Sequence, residues 1–420
     1  MKKTELLKLS VGQIGNAMAF MVMFLFLPDY FADHIFVGHE FPNTLAFLTI
    51  TISFTAGAIT YLFAGYLSDK TKTRWGKRRP YFLLVIPSGI AYIFLGLSIP
   101  GFSVEAMFAF LSVMATTYAV LYRLEYCSYW ALYMDQTEPD ERISTSITFN
   151  LFGTIGTVGA LLLFPILEYI LPYLTITLIF GVIFIGTVLF AFFFGPREDL
   201  SKLGKATEMS NFFKTLKETT TDRNFFFYLL ASFFFVLGYS ISTLTLVDFL
   251  DAQTIDLLVM LPFVIPVALL YFFLFGRLAK SRGRLQAFKL VISVGILMVP
   301  FTLFLGIFGE GTLLFIQVFL IISIILFVVI AILTFQYAIL MDLAPSGREA
   351  TYSGVYLFVI VIPIPIASTL AGLLLDLPLI FPGIQFLIWQ DLALSFALIF
   401  LINVIFLSVS YIFLRAIREK

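Results

Sequence analysis

The sequence predicts an all-α membrane protein of twelve transmembrane helices in two six-helix halves. Three observations predict it. Hydrophobic residues make up 60% of the 420 positions and charged residues only 12%. Soluble domains carry roughly 25% charged residues, so most of this surface has to face lipid. The apolar runs are about 20 residues long, the length a helix needs to cross a ~30 Å hydrocarbon core. The alternating segments of about 10 residues that would build a closed barrel are absent. Finally, the basic residues recur in step with the apolar runs.

In order, the spans are predicted at residues 9–30, 43–66, 81–99, 104–134, 143–170, 172–195, 224–249, 255–276, 286–308, 311–341, 350–375 and 390–414. No cleavable signal is expected at the start, because the run after the three early lysines is long enough to span and lacks a small-residue cleavage pattern. Cytoplasmic loops are enriched in Lys and Arg. With the N-terminus inside, the inner segments hold Lys2, Lys3 and Lys8; residues 70–79; Arg142; residues 197–223; residues 277–289; Arg348; and residues 415–420. These account for all but one of the 26 Lys and Arg residues, and the outer loops carry none. The expectation is a multi-pass protein of the cell (plasma) membrane with both termini cytoplasmic. The exception is Arg123.

The longest polar break, residues 196–223, separates an N-terminal bundle (1–195) from a C-terminal bundle (224–420). It reads as a cytoplasmic linker lying along the membrane. The halves echo each other. GYLSDKTKTRWGKRRP (65–80) after span two matches GRLAKSRGRLQ (276–286) after span eight. MDQTEPDER (134–142) after span four matches MDLAPSGRE (341–349) after span ten. Parallel six-span repeats are the arrangement of major-facilitator transporters. In the first loop Asp69 stands among Arg74, Arg78 and Arg79, with Gly65 and Gly76 allowing tight turning. Charge pairs there, joined by Asp135, Arg142, Asp342 and Arg348, are expected to form a cytoplasmic gate that holds one conformation and breaks in the other. The second half has Lys280 where Asp69 would align, so the latch is expected to be asymmetric. Plain positive-inside topology accounts for the bases but not for Asp69 with its glycines.

The loop at 65–80 resembles the second-to-third-helix loop of the glycoside–pentoside–hexuronide:cation symporter family, which includes melibiose permease, and that of sucrose–proton symporters. VGQIGNA (11–17), LPDYFADHIFVG (27–38), SYWALYMDQTEPDER (128–142) and GREATYSG (347–354) carry the resemblance into both halves. It implies a twelve-helix secondary transporter of the major facilitator fold, carrying sugars with Na⁺ or H⁺. The chain departs from that pattern where the cation binds. The family's paired second-helix aspartates align near Gly57 and Tyr61, its first-helix sugar-binding aspartate with Ala17 and its fourth-helix aspartate with Tyr126. The helix-eleven lysine has no counterpart. A coupling proton is therefore expected rather than sodium.

The fourth span contains VLYRLEYCSYW (120–130). Arg123 lies twelve residues before Asp135, roughly 18 Å at 1.5 Å per residue, near mid-membrane. A charge there costs at least ~2.5–3.5 kcal/mol and is turned toward a partner or a wet cavity. At 100° per residue, Tyr118, Tyr122, Glu125, Tyr129 and Tyr133 share one stripe, Arg123 and Trp130 lie well round from it, and Tyr126 falls between. Three readings stay open. Glu125 titrates a proton, since burial disfavours its charge and a nearby cation favours it, with Arg123 as modulator or ligand. The two form a buried structural ion pair. Or Arg123 meets the carboxylate of an organic acid. The aromatic wall favours a sugar or glycoside as partner.

Gln13, Asn16 and Asn150 are softer substrate-site candidates, as are Gln317, Gln336 and Asn403, although helix–helix hydrogen bonds explain them equally. Asp29, Glu168, Asp248 and Asp376 fall near outer ends and are expected at the interface. Pro262 and Pro266, and Pro363 and Pro365, should break helices eight and eleven. No P-loop, metal-ligand cluster or nucleophile–base pair occurs, so neither ATP drive nor catalysis is expected; no cofactor, metal or nucleic-acid partner is expected, and the chain is read as a monomer. The remaining alternatives are a uniporter, a carrier of lysolipid-like amphiphiles, and a receptor or scaffold that does not transport.

Overall fold

A computed structural model describes residues 3–71, 73–136, 142–198, 217, 221–246, 249–250, 257–305, 312–343, 349–376 and 394–417. Among these residues all regular structure is helical. Numbered by span, the helices are α1 (Lys3–Met21), α2 (Pro42–Lys70), α3 (Val85–Ile93), α4 (Val104–Asp135), α5 (Arg142–Ile170), α6 (Tyr173–Phe194) and α7 (Arg223–Leu244). There follow α8 (Leu257–Arg282), α9 (Arg284–Leu305), α10 (Thr312–Leu343), α11 in two segments (Glu349–Val361 and Pro363–Leu375) and α12 (Leu394–Ala416). Eleven helical stretches are long and apolar enough to cross a membrane. The remaining predicted span, the ninth, is helical as α9.

Proline chemistry shapes the irregular parts. Beyond α1 the chain continues through π-turns at Val22–Phe26 and Phe31–Ile35 around the single α-turn Leu27–Tyr30. Pro28 cannot donate a hydrogen bond and its ring crowds the carbonyl four residues back. The widened turn, in which the Leu27 N–H reaches Val22 O, accommodates it. The break expected at Pro363 and Pro365 is present, with Pro363 opening a new segment where its missing N–H costs nothing. The break expected in helix eight is not: α8 runs through Pro262 and Pro266. Transmembrane helices tolerate such prolines when local adjustments satisfy the freed carbonyls.

The described chain groups into two compact units, residues 1–39 with 49–210, and residues 40–48 with 211–420. In the first, α1 packs on α5 and α6, and α3 on α4 and α6. Gly15 lets α1 approach α6 closely, because a Cβ there would stand 2.8 Å from the Phe184 Cα. In the second, α7 packs on α12 and α11, and α10 on α8 and α9. Asn403 of α12 donates to Ser242 Oγ of α7 at 2.7 Å, a helix–helix bond as its bland reading has it. Most of the linker, 199–216 and 218–220, lies outside the described residues, as does Asp248.

Asp376 departs from its expectation of a solvated interface. It is fully buried and caps the start of α2. Its carboxylate accepts from Asn43 Nδ2 (2.8 Å), Thr44 N (2.8 Å) and Thr44 Oγ1 (2.6 Å). Helix N-termini leave N–H groups unsatisfied and favour a negative charge, so a distant acid serves as well as a local cap.

Candidate functional site

The polar centre of the first unit is built on α4, where the narrow stripe seen on a helical wheel divides in two. Tyr118 and Tyr129 turn into the packed core. Tyr118 meets Tyr92 and Phe184, and Tyr129 meets Phe82 and Phe149 and donates to the Leu9 carbonyl of α1. Tyr118, Tyr122 and Tyr126, one turn apart, stack in a column with centroids 5.4 and 5.3 Å apart. At its far end Tyr126 accepts from Gln13 Nε2 at 3.1 Å and meets Trp130 edge-on. Tyr118 and Tyr129 are therefore packing residues rather than a wall open to substrate.

Arg123 is 6% exposed and has no acidic partner among the described residues. Its guanidinium stands over four rings: Phe20 of α1 (5.5 Å), Phe54 (5.4 Å) and Tyr61 (5.0 Å) of α2, and Tyr122 (5.1 Å). Nη1 donates to Tyr61 Oη at 2.9 Å, while Nε is enclosed without a partner. Gly57 makes the space, since a Cβ there would stand 3.2 Å from Arg123 Cγ. Ring faces carry negative charge density and each attracts a cation by ~0.5–2 kcal/mol, so the cage offsets part of the burial cost without neutralising the charge.

Glu125 is completely buried and neither carboxylate oxygen has a hydrogen-bond partner. Its polar neighbour is Asn16 of α1, likewise fully buried with both amide atoms unpartnered. The ion-pair reading of Arg123 and Glu125 fails: two residues apart on a helix they point some 200° apart, toward α2 and α1 respectively. Among the described residues no cation stands against the Glu125 carboxyl group. Thus Gln13, Asn16, Tyr122, Arg123, Glu125, Tyr126 and Trp130 share one neighbourhood, whereas Asn150 is exposed on α5.

At the end of α2 the sequence-predicted gate is partly visible. Arg78 and Arg79 are both buried. Arg78 Nη1 donates to Ser68 Oγ at 2.8 Å, and Arg79 donates to the Phe192 carbonyl and covers that residue's ring at 5.0 Å. The organiser is a residue that the loop's own charge pattern does not reveal. Glu198, just past α6, accepts from the backbone N–H of Arg78 (2.9 Å) and of Arg79 (3.5 Å). Gly76, at φ +104°, makes the turn, and a side chain there would collide with the Glu198 carboxylate. Arg74 is exposed and covers only its neighbour Trp75. In the second unit Asp342 pairs with Arg284 at 2.7 Å on the surface. Arg348 lies outside the described residues, as do the side chains of Asp69, Asp135 and Arg142.

Sequence reasoning missed Phe20, Phe54 and Glu198. The two phenylalanines are lost among the 51 of the sequence, and Glu198 sits in what reads as linker. Tyr61 had a signal, standing where the resembled family keeps an acid.

Comparison with known proteins places this architecture. Residues 9–368 match the model of the Major Facilitator Superfamily. The inner membrane symporter YicJ of Escherichia coli (strain K12) is 26% identical over 163 residues, which is 38% of this chain and 34% of that one. The glucuronide carrier protein homolog of the same organism is 36% identical over 74 residues, 18% of this chain and 15% of that one. The matched stretches thus span about a third or less of those relatives. Among solved structures, a bacterial homologue of the iron transporter ferroportin in an outward-facing state superposes with a TM-score of 0.67 at 14% identity, covering 99% of both chains. A bacterial homolog of the human lysosomal transporter Spinster, inward-facing and occupied, gives 0.64 at 15% identity, covering 98% of this chain and 95% of that one. These likenesses carry the fold. The chain belongs to the Major Facilitator Superfamily and is a multi-pass membrane protein.

Proposed function

We propose that the chain is a secondary active transporter that carries a sugar or glycoside together with a proton by alternating access. The observation that carries this reading is Glu125, a mid-helix carboxylate that is fully buried with no counter-charge. An acid of this kind is stable when protonated and costly when bare, which suits a site that must take up and release one proton in each cycle. The half-buried rings of Tyr126 and Trp130 beside it offer aromatic faces and the Gln13–Tyr126 pair offers hydrogen bonding, the two features a saccharide ring needs. The partial match to a symporter and to a glucuronide carrier homolog supports both halves of the reading. It also favours membership of the glycoside–pentoside–hexuronide:cation symporter family. Sodium coupling has little support, because Gly57 and Tyr61 replace that family's cation-site acids and both touch Arg123. On this reading it acts as a monomer in the plasma membrane, and the placement of Lys and Arg in alternate loops supports both termini being cytoplasmic.

The test is uptake of a labelled mono- and disaccharide panel into proteoliposomes, with and without an inward proton gradient. Gradient-driven accumulation of a sugar is the expected result. Folded protein that carries no sugar under either condition would refute the sugar assignment, and uptake indifferent to both ion gradients would make the protein a uniporter.

A further inference from the structure

Arg123 is the other buried charge of α4, and the proton reading does not use it. Its environment is unusual in what it contains. Phe20, Phe54, Tyr61 and Tyr122 surround the guanidinium, and the one hydrogen bond it makes is to a neutral phenol. Its packed neighbours on α1, α2 and α4 bring it no carboxylate. Glu125 is the nearest acid along the chain and faces α1 instead. Nε is sealed without a partner, while Nη2 makes no hydrogen bond and is not among the enclosed atoms.

A charge kept in this way calls for a reason. A buried cation without a counter-ion is disfavoured, and an apolar residue of similar size would pack there at lower cost. The rings and the Tyr61 hydroxyl recover some of that cost but leave one full positive charge and the Nη2 donors unanswered. Arginine is the side chain whose fork matches a carboxylate in a bidentate pair. The missing partner is therefore a group that comes and goes.

We infer that the cargo carries one negative charge, a carboxylate or its equivalent, which pairs with Arg123, and that its body lies against the surrounding rings. This names the class of cargo for the transporter proposed above. A second consequence rests on that reading. If Glu125 takes up one proton for each monoanion, cargo and proton cancel and each cycle moves no net charge. The groups around Glu125 leave this balance intact: Asn16 on α1 carries an amide and Tyr118 and Tyr126 on α4 carry phenols, side chains that are neutral near pH 7, so only Arg123 and Glu125 enter the count.

The experiment uses two matched pairs of probes on the purified full chain: phenyl β-glucuronide against phenyl β-glucoside, and benzoate against benzamide. Each pair keeps the ring and changes only the charge. The expected result is at least tenfold tighter binding of the charged member. Arg123→Gln should erase that preference while leaving the neutral member within about twofold, and Arg123→Lys should restore part of it, with unfolding curves confirming that both variants fold. Neutral probes that bind as tightly as charged ones, a preference that survives Arg123→Gln, or no binding of either anion would overturn the inference. Benzoate bound through Arg123 with neither glycoside bound would instead remove the sugar reading and leave the inference standing. In proteoliposomes, proton-driven uptake of the charged probe should not change under a potassium diffusion potential; acceleration by an inside-negative potential would refute the cancellation.

Discussion

Glu125→Gln separates a coupling residue from a structural one. The amide keeps the shape of the acid and removes its proton exchange. Were Glu125 half of a buried ion pair, breaking it would leave an uncompensated charge and cost ~3–5 kcal/mol. In the structure it has no cation among the described residues, and its one polar neighbour, the Asn16 amide, meets a glutamine as readily as an acid. The expected change in stability is therefore within about 1 kcal/mol, as for a substitution that alters none of the named large effects. Coupling should behave differently. One proton per cargo lets a gradient of one pH unit, ~1.4 kcal/mol, sustain about tenfold accumulation. Glu125→Gln should bring that ratio to about one while exchange of labelled for unlabelled cargo across the membrane continues. The assay is gradient-driven uptake and counterflow on the same proteoliposomes, with denaturation measured in parallel. Accumulation near the wild-type ratio would refute the coupling role, and a stability loss of several kcal/mol would show that the carboxylate is held by a bond the structure lacks.

Three other outcomes follow from single contacts. Gly57→Leu should displace the Arg123 side chain, 3.2 Å from where the new Cβ would stand, and weaken binding of the anionic probes at least tenfold with little effect on their neutral partners. Glu198→Ala removes charge-assisted bonds of about 1.5–3 kcal/mol from the Arg78 and Arg79 amides, so trypsin should cut after Arg78 measurably faster; an unchanged rate would mean the loop is held by other contacts. Asp376→Ala strips three hydrogen bonds from the start of α2 and should lower stability by roughly 2–4 kcal/mol, whereas Asp342→Ala, breaking an exposed pair, should cost at most ~1 kcal/mol in the same denaturation assay.

By itself the sequence determined the membrane class, the number and approximate limits of the spans, and the identity of the costly residues in α4. These properties are written in one dimension: span length is set by the thickness of the hydrocarbon, orientation by the placement of Lys and Arg, and the price of an intramembrane charge by its distance from the ends. A helical wheel also kept Arg123 and Glu125 apart. Only tertiary structure decided what each of them faces. Tyr61, Phe20 and Phe54 come from two other helices, and their sequence contexts are those of ordinary apolar packing. Glu198 grips a loop more than a hundred residues away, and Asp376 caps a helix more than three hundred residues before it. Composition and periodicity report on the chain's neighbours along a helix; partners at such separations are chosen by the packing of helices. For that reason the two charges of α4 could be read from the sequence, and the surroundings that leave each without a counter-ion among the described residues could not.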